Sequence, residues 1–327
     1  MIEKMGGVKM AYILLIVGFF MLIKGADWLV QGASSIAKRF GVSSLLIGLT
    51  IVALGTSAPE LAVSVTGSLK GANGLTLGNV LGSNLFNLAM VAGLLAAIKP
   101  LTFDRDLIKI GLPFGIGSMI ATVIMALDGQ FGRLDGALLL IGTIAYLLCL
   151  IIPQLKKTTS NEVTEEAGEP TTEDEVKILG WGLSILFVIV GLVGVLIGGD
   201  LVVEQATVIA KGWGWSDQLI GLTIVAVGTS LPELVTSLMA LKKGEVELAL
   251  GNVFGSNILN VLFILGASSA ISPITVNPTV WLDLGVTLVI TAFVTLIGFT
   301  TKRLARWQGA LLVIAYVGYL VYCIFNQ

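Results

Sequence analysis

Residues 47–61 read IGLTIVALGTSAPEL, and residues 220–234 read IGLTIVAVGTSLPEL. The two phrases lie 173 positions apart and differ only at Leu54/Val227 and Ala58/Leu231. The block GNVLGSN at 78–84 returns as GNVFGSN at 251–257, and GADWL at 25–29 aligns with GGDLV at 198–202, at the same offset. A constant offset across three blocks is an internal repeat. Whatever this chain folds into, it carries one unit twice. Each copy must also accommodate a proline beside a carboxylate in apolar surroundings.

Those surroundings exclude a water-soluble particle. Of 327 residues 55% are hydrophobic and only 12% charged, with mean hydropathy +0.96, whereas soluble domains are about one quarter charged. Ten segments are long enough to cross a hydrocarbon core, which takes roughly 20 residues: about 11–36, 43–69, 75–98, 107–127, 134–152, 178–209, 217–241, 248–271, 280–300 and 305–325. The first is expected to be a retained helix, because its apolar run is too long for a secretory signal and leads straight into further spans. Residues 154–177 include the polar, acidic stretch KKTTSNEVTEEAGEPTTEDEVK, a flexible linker by composition. The expected fold is therefore an all-α integral membrane protein: ten transmembrane helices as two five-helix repeats, 1–153 and 178–327, joined by the linker.

Basic residues orient the chain. With both termini outside, the inside loops hold Lys38, Arg39, Lys99, Arg105, Lys109, Lys156, Lys157, Lys177, Lys242, Lys243, Lys302, Arg303 and Arg306, against Lys4, Lys9, Lys70, Arg133 and Lys211 outside. The expected location is the cell membrane, with extracellular termini and a cytoplasmic linker. Because each repeat has an odd number of spans, the second enters from the opposite side. The two repeats are then inverted, an arrangement typical of secondary transporters.

The duplicated phrase has a chemical meaning. A proline within a helix removes one donor and clashes with the carbonyl four residues back, here Gly55 for Pro59 and Gly228 for Pro232. Each helix should kink or break, freeing carbonyls over about Ala53–Thr56 and Ala226–Thr229. In lipid such groups must be satisfied or line a cavity. Thr56, Ser57, Thr229 and Ser230 add hydroxyls, and Glu60 and Glu233 add charge. A carboxylate near a membrane centre costs about 2.5–3.5 kcal/mol on insertion scales, so two at equivalent positions call for a compensating cation. No lysine or arginine is near them in sequence. The longer segments GNVLGSNLFN at 78–87 and GNVFGSNILN at 251–260 supply neutral oxygens from Ser83, Asn84, Asn87, Ser256, Asn257 and Asn260. For Asn84 and Asn257, bonding between helices is an equal alternative. A set of hard oxygens selects Ca²⁺ or Na⁺ over zinc or copper.

Other features carry less. The chain has no histidine, which excludes His-based catalysis and His metal sites; an intramembrane serine hydrolase would also lack a base. Cys149 and Cys323 lie in apolar segments with no metal spacing. Asp27 and Asp200 are repeat equivalents that either line an access path or make bonds near helix ends, and Lys24 is expected to pair with Asp27. The linker lacks the pattern of an EF-hand loop. No resident cofactor, nucleic acid or obligatory protein partner is indicated. The expected partners are the bilayer and the transported ions.

GTSAPEL and GTSLPEL, each followed by GN-x-x-GSN, resemble the paired alpha-repeats of the cation/Ca²⁺ antiporter superfamily, most closely the compact prokaryotic sodium/calcium exchangers. The resemblance spans the whole ten-span layout. It implies counter-transport of Ca²⁺ against Na⁺. A Ca²⁺ site would comprise the carboxylates of Glu60 and Glu233 with the carbonyls of Thr56 and Thr229. Na⁺ sites would use Ala53, Ser57 and Ser83 on one side and Ala226, Ser230 and Ser256 on the other, with Asn87 and Asn260 bordering the middle. Asn260 stands where K⁺-dependent relatives carry aspartate, so the resemblance implies the K⁺-independent branch. GNVLGSN also departs from the GN-x-x-E motif of Ca²⁺/H⁺ exchangers.

Overall fold

A computed structural model describes residues 2–159, 178–215, 224, 226–278 and 280–325. It is almost entirely helical: α1 (Ile2–Phe40), α2 (Ser44–Thr56), α3 (Ala58–Leu69), α4 (Gly74–Ile98), α5 (Leu107–Ala126), α6 (Arg133–Thr159), α7 (Trp181–Gly212), α8 (Leu231–Lys242), α9 (Val246–Ile271), α10 (Val280–Thr300) and α11 (Arg306–Phe325). Among the described residues, eight of these helices are long and apolar enough to cross a membrane, and α2 with α3 forms a ninth span bent by 49°. The expected span 217–241 is described for Ile224 and from Ala226 onward, as a helical turn Ala226–Gly228 followed by α8. The rest of it, and residues 160–177 of the linker, lie outside the described residues.

Proline decides where these broken helices restart. Pro59 and Pro232 sit in the first turns of α3 and α8, where a missing N–H costs nothing. The residue before each new helix, Ser57 (φ −82°, ψ 11°) or Ser230 (φ −95°, ψ 8°), lies in the bridge region. The expected kink is thus a break of one or two residues followed by a fresh helix.

The two helices that carry GN-x-x-GSN are the most enclosed: over their most apolar 18-residue stretches, 72% of α4 and 94% of α9 is buried. Each contains a π-helical stretch, Phe86–Ala92 and Asn260–Leu265, a widening of the helix that is frequent at functional sites. Gly251 lets α9 meet α2, since a Cβ there would fall 2.5 Å from the Leu45 carbonyl oxygen. Two short antiparallel bridges clip the connections: β1 (Leu101–Thr102) with β4 (Arg303–Leu304), and β2 (Gln130–Phe131) with β3 (Ile274–Thr275). The repeat offset carries β1 onto β3 and β2 onto β4, so each clip is the other's counterpart.

Helices α1 and α7 pack on each other more extensively than any other pair and touch the rest through far fewer contacts. Their backbones approach closely because glycines face one another; a Cβ at Gly25 would lie 2.6 Å from the Val195 amide nitrogen. Gly25→Val is accordingly expected to lower stability by about 1–3 kcal/mol through overpacking, read as a drop in melting temperature in detergent. An unchanged melt would show that the two helices can separate freely.

Asp27 corrects one expectation. Its partner is Lys243 at the end of α8, 2.7 Å away, rather than Lys24, whose side chain is exposed. A residue three positions away on the same helix lost to one brought up by tertiary packing.

Candidate cation site

Glu60 and Glu233 are the only charged side chains fully buried among the described residues. Neither forms an ion pair with a described residue. Both occupy the first turn of a helix, α3 and α8, where free N–H groups and the positive end of the helix dipole favour a carboxylate. The proline break therefore places a helix N-terminus inside the protein, next to the charge.

Ser57-x-x-Glu60 and Ser230-x-x-Glu233 spell a capping box, in which the serine would bond its own helix. Neither does. Ser57 Oγ donates instead to Glu233 Oε1 at 2.9 Å, and Ser230 Oγ to Glu60 Oε1 at 2.9 Å. Each half's serine serves the other half's glutamate. The GSN serines add a second donor from the glutamate's own half: Ser83 Oγ to Glu60 Oε1 at 3.3 Å and Ser256 Oγ to Glu233 Oε1 at 3.4 Å. Both Oε1 atoms are thereby saturated, while both Oε2 atoms are buried without a partner.

Unpartnered amide oxygens occur in and just after the second block, at Asn87 Oδ1, Asn257 Oδ1 and Asn260 Oδ1; the hydroxyls of Ser34, Ser68, Thr236, Ser268 and Thr287 are unpartnered too. Asn87 also has a free Nδ2, so its amide can flip without breaking a bond. Buried polar atoms left unpaired cost about 1–3 kcal/mol each, and native proteins keep few of them. Two orphan carboxylate oxygens, with orphan amide oxygens on the equivalent helices α4 and α9, suit a hard cation.

Asn84 and Asn257, for which two roles were open, bond between helices. Asn84 Nδ2 donates to the Asn257 carbonyl at 3.2 Å and Asn257 Nδ2 to the Asn84 carbonyl at 3.1 Å. Asn260 Nδ2 donates to Asn84 Oδ1 at 3.1 Å, which leaves Asn260 only its oxygen to offer. Ala53 is buried at the start of the last turn of α2, and its carbonyl accepts the Ser57 N–H at 3.0 Å. In the second half the Ser230 N–H reaches Val227 O at 3.2 Å, a tighter turn; Ala226 opens that turn.

Two residues escaped the sequence reading. Asn79 Nδ2 donates to the Glu60 carbonyl (3.0 Å) and to Ser64 Oγ (2.9 Å). Asn252 Nδ2 donates to the Glu233 carbonyl (3.3 Å) and to Ser237 Oγ (3.0 Å). Their Oδ1 atoms accept the threonines of the opposite half: Thr56 Oγ1 to Asn252 at 2.9 Å, and Thr229 Oγ1 to Asn79 at 3.5 Å. Each asparagine thus holds one half's glutamate turn and the other half's break. The signal was present as the asparagine of GN in both blocks. Asn252→Ala leaves the Thr56 hydroxyl only its 3.4 Å contact with the Ala53 carbonyl and removes a donor from the Glu233 carbonyl and Ser237 Oγ, and is expected to cost about 1–3 kcal/mol in thermal melts. A smaller loss would mean that these groups find other partners.

The sequence model of the sodium/calcium exchanger protein family matches this chain twice, over residues 10–152 and 183–325; the two matches are displaced by the repeat offset. The putative antiporter CaxA of Alkalimonas amylolytica is 36% identical over 94% of this chain and 97% of its own length. The sodium/calcium exchanger MaX1 of Methanosarcina acetivorans is 31% identical over 95% of this chain and 97% of its own. A solved structure of the sodium-calcium exchanger NCX_Mj superposes with a TM-score of 0.81 at 32% identity, covering 95% of this chain and 98% of that one.

Proposed function

The chain belongs to the sodium/calcium exchanger protein family, and from that premise we propose that it is a secondary active antiporter that exchanges Na⁺ for Ca²⁺ by alternating access. It is a transporter, not an enzyme, as its relatives are. One observation carries the reading. Two buried carboxylates with no basic partner among the described residues each keep one oxygen unpartnered, and the helices whose serines bond them, α4 and α9, also carry orphan amide oxygens.

Glu60 and Glu233, with the carbonyls of Thr56 and Thr229, would hold Ca²⁺. Ala53, Ser57 and Ser83, and Ala226, Ser230 and Ser256, would complete flanking Na⁺ sites, with Asn87 and Asn260 between. The ions are cargo, and no resident cofactor takes part. Coupling is overlap, because each carboxylate can neutralise Na⁺ or share Ca²⁺ but not both. Two negative charges balance one Ca²⁺ or two Na⁺, so a third Na⁺ would make exchange electrogenic. Asn260, a neutral residue, supports K⁺ independence. The repeats would be inverted five-helix units, with α1 and α7 moving as a pair across a core built on α4 and α9. Basic-residue bias supports extracellular termini, a cytoplasmic linker and the cell membrane as location. The inward Na⁺ gradient would drive Ca²⁺ outward.

The deciding measurement is Ca²⁺ flux into vesicles carrying the purified protein, under imposed Na⁺, K⁺ or H⁺ gradients. Flux that requires Na⁺ and ignores K⁺ is expected. Flux driven by a pH gradient alone, or Ca²⁺ conduction with no counter-ion, would sink the reading in favour of H⁺ exchange or a channel.

A further inference from the structure

The Asp27–Lys243 pair is the shorter of the two ion pairs seen among the described residues, 2.7 Å, with side chains 27% and 22% exposed. It ties α1, one of the tightly packed α1–α7 pair, to the end of α8, the helix that carries Glu233 in its first turn. Both partners have repeat counterparts: Asp200 on α7 answers Asp27, and Lys70 at the end of α3 answers Lys243. Yet Asp200 and Lys70 are exposed and form no ion pair among the described residues. The serine–glutamate bonds, the asparagine braces and the strand clips are all made in both copies. This device is made in one.

We infer that the two aspartate–lysine pairs are alternating latches that position the α1–α7 pair. Asp27–Lys243 holds it against one end of the core in the state described here, and Asp200–Lys70 holds it against the other end in the opposite state. The inference rests on the alternating-access reading, under which a two-fold repeat exchanges the environments of its halves. Basic-residue counting puts Lys243 inside and Lys70 outside, as latches at opposite faces require. The two latches are unequal. Glu245, two residues beyond Lys243, accepts Ser44 Oγ at 3.0 Å and lies 3.9 Å from Lys38 Nζ, adding a second tie between α1 and the same turn. The counterpart of Glu245 is Ala72. The state latched through Lys243 is therefore the resting one.

The test uses the full chain in lipid vesicles, with Cys149→Ser and Cys323→Ser and a short bifunctional thiol reagent. Asp27→Cys with Lys243→Cys should cross-link fast. Asp200→Cys with Lys70→Cys should cross-link slowly, and about fivefold faster once Asp27→Asn releases the opposing latch, the shift expected of a partly exposed ion pair. Failure of the second pair to cross-link in any mixture of Na⁺ and Ca²⁺, or a rate indifferent to Asp27→Asn, overturns the inference. If the cysteine pair does not assemble, Asp200→Lys and Lys70→Asp decide. Each alone should slow flux and the two together should restore it; single variants equal to the parent overturn the inference. Cross-linking needs no transport, so absent Na⁺-driven Ca²⁺ flux would sink the exchange reading while the cross-link yields still judge the latch.

Discussion

Glu60→Gln is expected to reduce Na⁺-driven Ca²⁺ uptake to that of protein-free vesicles, and Glu233→Gln to do the same. Glutamine keeps the shape and keeps an oxygen for the donors now on Oε1, Ser230 and Ser83 for Glu60, Ser57 and Ser256 for Glu233. The fold should survive, as an unchanged elution profile would show. What is lost is half of the buried negative charge. A unit charge pair 4 Å apart is worth about 4 kcal/mol at an effective dielectric of 20, so a divalent ion loses a thousandfold or more in affinity, at about 1.4 kcal/mol per factor of ten. The replacement amide also presents N–H groups to a cation. Ca²⁺ flux at the parental rate in either variant would refute the assignment of that glutamate.

Removing ions should be nearly as costly. With neither Na⁺ nor Ca²⁺ present, the buried pair Glu60/Glu233 has no counter-charge among the described residues, and burial of uncompensated charge is strongly unfavourable. Ca²⁺ at one hundred times its dissociation constant should therefore stabilise the folded protein by about 2.7 kcal/mol, visible as a rise in melting temperature on adding Ca²⁺ to chelated protein. Na⁺ should produce a rise as well, while K⁺ at equal ionic strength should not. In the Glu60→Gln, Glu233→Gln double variant the Ca²⁺-induced rise should vanish, and the ion-free protein should melt higher than the ion-free parent. A Ca²⁺ effect that persists in the double variant would place the ion elsewhere. Because melting needs no gradient, this measurement tests the site independently of transport.

Some elements were readable from the chain and others were not. The restart of helices at Pro59 and Pro232 was legible because it follows from proline's covalent geometry. The spans themselves were legible as apolar length, although part of 217–241 lies outside the described residues. The π-helical stretches at Asn87 and Asn260 were not legible, since a π turn uses the same residues as an α turn and is chosen by packing. Asn79 and Asn252 were spelled in both blocks but passed over, because their bonds run to a backbone carbonyl and to threonines on another segment. The pairing of Asp27 was misread for the same kind of reason: helix periodicity offered Lys24, and the fold supplied Lys243.

By itself the sequence determined that one unit occurs twice, that each unit's helix breaks before a glutamate, and that the chain belongs among apolar helices. Those properties depend on composition, local sterics and repetition, which need no partner segment. Only the tertiary structure decided that Ser57 serves Glu233 and Ser230 serves Glu60, that one oxygen of each carboxylate is left without a donor, and that Asp27 pairs with Lys243 while no ion pair of Asp200 with Lys70 is formed. Each of these depends on which of several competing polar groups is brought within about 3 Å. That choice is made by close packing of segments far apart in the chain, where a local capping bond and a distant hydroxyl differ by little in intrinsic energy.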